Sequence, residues 1–113
     1  MISSIIATAV SGMAAQQQRL DAVAQNIANA ETQGYARRTV EMVTAPNGGV
    51  RAVARAAPIP GNDGGVDLAT EMVDMTGAKL AFEANVAVME AGLDMWDMLM
   101  SALEPRDRDE RWR

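Results

Sequence analysis

Two stretches of this chain repeat apolar residues at alternating steps of four and three, and that spacing restricts the possible folds more than any other feature. In the first, Ile6, Val10, Met13, Gln17, Leu20, Ala24 and Ile27 make a heptad seam with one polar position, Gln17. In the second the rhythm runs through Leu68, Met72, Met75, Lys79, Phe82, Val86, Met89, Leu93, Trp96, Met100 and Leu103. The spacing predicts a helix from about Ser3 to Thr32, closed by Gly34 in a left-handed conformation, and a second over 68–103. At ~1.5 Å per residue the second is a rod of roughly 54 Å.

Each helix carries apolar residues beyond its seam. Ile2, Ala9, Val23 and Ala30 widen the first stripe, while Val73, Leu80, Val88, Met95 and Leu99 lie chiefly on another side of the second. A helix that is apolar on two faces must bury both, which one partner helix cannot do, so oligomeric packing is expected. The plainer reading is a monomeric hairpin with some exposed Met and Val, since scattered surface apolar residues are ordinary. Six of the nine methionines fall in the second helix, where flexible thioethers suit either an adaptable interface or core filling.

Between the helices the character changes. Residues 37–44 and 50–55 alternate imperfectly around Pro46-Asn47-Gly48-Gly49, which reads as a β-hairpin. Pro58, Pro60, Gly61, Gly64 and Gly65 then interrupt regular structure. The expected fold is mainly α: an antiparallel two-helix coiled-coil hairpin with a short β-hairpin and irregular link, completed by oligomeric packing. Its parts are a first helix segment at 1–35, a β-rich link at 36–66, a second helix segment at 67–104, and a mixed-charge tail at 105–113 that Pro105 sets off.

Composition narrows the function. The 113 residues are 49% hydrophobic yet include one Phe, one Tyr and two Trp, so any core is built from small and aliphatic side chains, which favours closely spaced helices. A formal charge of −5 argues against nucleic-acid binding. Histidine and cysteine are both absent, which removes the commonest metal ligands, the neutral-pH acid/base and the thiol nucleophile. Asp67, Glu71 and Asp74 share a helical face and could hold a divalent cation, but such sites usually draw more oxygens from a bent loop. The expected role of these acids is a solvated face in the first turns of a helix, where negative charge is favoured. Gly48-Gly49 and Gly64-Gly65 lack phosphate-loop spacing. No cofactor, metal or catalytic residue is expected.

No apolar run reaches the roughly 18 residues of a membrane span. The stretch Ile5 to Val10 has no basic region before it, so it does not read as a signal peptide, and export would need another route. Charge is asymmetric: 67–104 hold eight acids and one base, Lys79, whereas Arg19, Arg37, Arg38, Arg51 and Arg55 all precede Val66. Complementary faces on adjacent subunits could use this for register, though exposed pairs contribute little.

The stretch Ser11 to Tyr35, above all Ala24-Gln25-Asn26-Ile27-Ala28-Asn29-Ala30 followed by Gly34-Tyr35, resembles the N-terminal signature of the flagellar rod and hook family. Val66 to Met75, with Phe82-Glu83-Ala84-Asn85-Val86, is similar to the C-terminal segment of the proximal-rod proteins, most closely the C type. The short middle differs from hook and distal-rod proteins, which carry large β domains there. Gln33 stands where the family usually has Pro, the link is shorter than usual for the C type, and the charged tail extends past the usual stop.

The resemblance implies a periplasmic structural subunit of the bacterial flagellar basal body, exported by the flagellar type III apparatus without a cleaved signal and stacked in a helical tube that transmits torque. Its partners would be copies of itself, other rod proteins and the export apparatus. The implied subunit interface comprises Leu20, Val23, Asn26, Ile27, Asn29, Gly34, Tyr35, Met72, Met75, Phe82, Val86, Met89, Leu93 and Trp96. A cytoplasmic coiled-coil adaptor or export-associated factor fits the same heptads but leaves the paired terminal signatures unexplained. A carboxylate metal enzyme would rest on Asp67, Glu71 and Asp74 alone.

Overall fold

The computed structural model describes residues 1–57 and 65–104. Four elements follow in order: α1 (Ile2–Ala28), β1 (Arg38–Thr44), β2 (Val50–Ala56) and α2 (Leu68–Leu103). The helices pack against each other, with Gly92 of α2 against Ile5 and Ile6 of α1 and Arg19 of α1 lying over Gly77 of α2, so they run antiparallel. The hairpin packs on α1 and not on α2, leaving α1 between its two neighbours. The molecule measures 86 × 28 × 14 Å, and its radius of gyration of 21.8 Å far exceeds the value of about 13 Å for a compact domain of this length.

A slab one helix thick cannot enclose a core. The fully buried apolar residues among those described are Ala9, Ala15, Ala22, Val23 and Ala78. Small side chains let the helix axes approach closely, and Gly12 is so close to Asn85 that it has no room for a Cβ. The accessible surface, 8499 Å², compares with about 6000 Å² for a compact folded chain of this mass.

The α1–α2 seam lies one residue N-terminal to the row that the heptads mark. On α1, Ala9, Val23 and Asn26 are buried while Val10, Ala24 and Ile27 are exposed; on α2, Glu71, Ala78 and Gly92 are buried while Met72, Lys79 and Leu93 are exposed. One residue is about 100° of helix rotation. Small and polar residues therefore form the seam within the chain, and many of the large apolar residues of the heptad rows lie outside it.

The bounds of α2 are those the spacing predicts. Asp67 caps its N-terminus, accepting from the Ala69 N–H at 3.2 Å and from the Thr70 hydroxyl at 2.9 Å. Its other end is Glu104, in an extended conformation with Pro105 next in sequence. The first helix stops four residues short of the expected Thr32. Asn29 is its C-cap, with its side-chain amide donating to the Gln25 carbonyl at 2.9 Å, and the chain tightens through Ala30 N–H to Ile27 C=O. Gly34, at φ 75°, belongs to the following turn closed by Tyr35 N–H on Thr32 C=O, and does not close the helix itself.

The hairpin has the register Arg38↔Ala56 to Thr44↔Val50. Its turn uses Gly48 and Gly49, at φ 93° and 81°, values that favour glycine. The turn is seated on α1, where the Val50 N–H donates to the Ser11 hydroxyl at 3.0 Å. Pro58, Pro60, Gly61 and Gly64 of the irregular link, and the charged tail from Pro105, lie outside the described residues.

Candidate functional site

The polar centre of the molecule forms where α1, the chain entering β1 and the first turns of α2 converge. Asn26 is 1% exposed and Glu71 0% exposed, the two largest fully buried side chains among the described residues. A buried amide must spend all its hydrogen-bonding groups, and Asn26 does so. Its Nδ2 donates to the Arg38 carbonyl at 2.7 Å and to Glu71 Oε2 at 3.1 Å. Its Oδ1 accepts from the Arg38 N–H at 2.7 Å and from the Tyr35 hydroxyl at 2.9 Å. One side chain thereby fixes both where the chain leaves α1 and where α2 sits.

The Glu71 charge is met by Arg37, whose Nε donates to Oε1. The same guanidinium reaches Asp74 Oδ2 through Nη2 at 3.0 Å, and Arg19 approaches Asp74 Oδ1 at 3.5 Å. Only a planar fork places two donors on carboxylates one helical turn apart. The hydrogen bond to Glu71 pushes Arg37 above its ordinary value; burial opposes this, and the Glu71 and Asp74 charges and the Asp74 hydrogen bond add to it. The expected solvated face is thus corrected: Glu71 is enclosed, Asp74 is paired with two arginines, and Asp67 caps the helix. No three acids converge, and no group of three or more ligating side chains able to hold a metal ion occurs among the described residues.

The residues expected at a subunit interface separate into three settings. Val23 and Asn26 are buried within the chain, and Tyr35 closes on Asn26. Leu20, Phe82, Val86 and Met89 are half-buried beside the seam. Ile27, Met72, Met75, Leu93 and Trp96 are exposed, while Asn29 and Gly34 shape the exit from α1. Sequence spacing missed Arg37, Glu71 and Arg19 as partners, because the link folds back through a turn that no periodicity records.

The outer surface carries most of the large apolar residues. Val10, Leu68, Val73, Leu80, Val88, Met95, Met98, Leu99, Met100 and Leu103 are all exposed, Val73 at 71% and Met98 at 73%. All but Val10 lie on α2, at both its ends and along its outer side. A monomeric protein rarely leaves so continuous an apolar tract in water.

Two family models match the chain, one at each end. Residues 6–35 match the flagella basal body rod protein model, and residues 64–102 match the flagellar basal body rod FlgEFG protein C-terminal model. The order and spacing are those of two helices that pair in one chain, and the two matches together cover more than half of it. The chain belongs to the flagellar basal-body rod family. No curated protein matches it. As a rod-family chain it is a structural protein; Asn26 lies in one matched segment and Glu71 in the other, and Arg37, from the link between the segments, completes the joint. No described helix is long and apolar enough to cross a membrane.

Proposed function

We propose that this rod-family protein is a subunit of the proximal rod, most like the C type, built with copies of itself and other rod proteins into a helical tube that transmits torque. The observation that carries this reading is the inversion of the helix pair: small residues fill the seam within the chain, and large apolar residues face outward along the length of α2. A subunit of this shape gains most of its burial from neighbours, as obligate assemblies do. The short hairpin link supports the proximal placement, since it leaves no room for a large inserted β domain. Passage through the flagellar type III apparatus without a cleaved signal, and a periplasmic position, belong to the same proposal.

Fractionation of flagellated cells during assembly tests it. The proposal expects the tagged chain to leave the cytosol and sediment with basal bodies. Retention in the cytosol throughout assembly would instead support the coiled-coil adaptor.

A further inference from the structure

The two ends of α2 present different surfaces with no partner among the described residues. Gly92 packs against Ile5 and Ile6, at the first turns of α1, so the last turns of α2 project past the end of α1. This projection carries Met95, Trp96, Met98, Leu99, Met100 and Leu103, all exposed, and its charges, Asp94, Asp97 and Glu104, are all negative. Near the other end, Met72, Val73, Thr76, Gly77 and Leu80 line a shallow apolar groove, open because Thr76 and Gly77 are small between larger neighbours. Lys79, the only base of α2, lies beside it, and Arg19 reaches across Gly77 at its margin.

We infer that the projecting end of α2, residues 95–103, docks in the 72–80 groove of a second copy of this chain, giving a head-to-tail contact. This rests on the rod-subunit reading and assigns the surfaces it uses. The two surfaces match in length, each spanning about 12 Å of helix. They match in shape, a ridge of Trp96, Leu99, Met100 and Leu103 against a furrow floored by Thr76 and Gly77. They match in charge, Asp94 and Asp97 against Lys79, the one base of α2, which sets direction more than strength. They cannot meet within one chain, because Thr76 and Leu99 are about 34 Å apart along a continuous helix. Since the joined surfaces differ, each bound copy leaves one of each free, and growth continues as an open helical array instead of stopping at a dimer.

The chain has no cysteine, so introduced thiols report this contact without background. Thr76→Cys and Leu99→Cys are made singly in the full chain, and circular dichroism checks that each folds as the parent does. Mixing the two single variants under mild oxidation is expected to give a disulfide-linked dimer, with little product from either alone, and the double variant is expected to give a ladder. Lys79→Glu should lower the yield about fivefold at low salt, and Asp97→Lys in the partner should restore it. Efficient self-crosslinking of either single variant would mean a two-fold contact and overturn the assignment. So would the absence of a mixed product from correctly folded variants. If the chain nonetheless sediments with basal bodies, the rod reading stands and only this contact fails; if the ladder forms but the chain stays cytosolic, the reverse holds.

Discussion

Gly12 and Asn85 meet across the helix pair at a distance that leaves no space for a methyl group: a Cβ on Gly12 would fall 2.6 Å from Asn85 Oδ1. The Asn85 amide is itself anchored, donating to the Ala81 carbonyl at 3.0 Å. Alanine is a better helix former than glycine by about 1 kcal/mol, but overpacking costs about 1–3 kcal/mol. Gly12→Ala is therefore expected to destabilise the chain, and in an Asn85→Ala background the same change should stabilise it. Denaturant midpoints of the four proteins in this cycle check the reversal of sign.

The buried charge of Glu71 makes Arg37 the side chain whose loss costs most. Removing one partner of a buried pair costs about 3–5 kcal/mol, because the other charge is left enclosed and unpaired. Arg37→Met should cost this much, whereas Arg37→Met with Glu71→Met should recover most of it. A double variant as unstable as the single would contradict the role given to the pair.

Raising the Arg37 pKa gives a signed dependence on pH. Its contribution is fully present below the ordinary arginine value and is lost only as pH rises through the still higher folded value. The arginine side of the joint should therefore hold across the whole neutral to alkaline range. Arg37→Lys introduces a group that titrates near about 10.4 when free. The stability gap between the parent and this variant should widen above about pH 10, as urea unfolding at a series of pH values will show.

Gln16 Oε1 is buried in the helix pair with no hydrogen-bond partner among the described residues. An unsatisfied buried acceptor costs about 1–3 kcal/mol, and methionine has similar length and adaptable shape. Gln16→Met should raise the unfolding temperature of the isolated chain. No change would mean that the amide finds a partner in solution.

Residues inside and outside the seam should separate folding from assembly. Met98→Glu and Val73→Glu change exposed positions, and surface changes of this kind usually alter stability by no more than about 0.5 kcal/mol. Swimming should be lost while circular dichroism and unfolding stay those of the parent. Leu20→Asp and Val86→Asp, at half-buried positions, should abolish swimming and also weaken the fold.

The bounds of α2 and the hairpin were legible because local rules decide them. Asp67 is a good cap, Pro105 a stop, and Gly48-Gly49 a turn wherever they occur. The facing of the helices was not, because the heptad rule assumes that the largest apolar residues pack within the chain. Here Ala9, Gly12, Ala78 and Gly92 take that place, and their own spacing of three or multiples of seven was the available signal. The first helix ended early because Asn26 needs Tyr35 and Arg38 to turn back onto it, a demand made by tertiary structure alone. For the same reason Glu71, which reads as an ordinary first-turn acid, proved to be the buried partner of Asn26 and Arg37.

The most direct measurement is quantitative mass spectrometry of intact hook and basal-body complexes purified from a host producing the chain. The account predicts the protein in the rod fraction, in several copies per complex, and its loss from that fraction in the Met98→Glu variant. Complete basal bodies that lack it, with the protein recovered from the cytosol, would contradict the central claim.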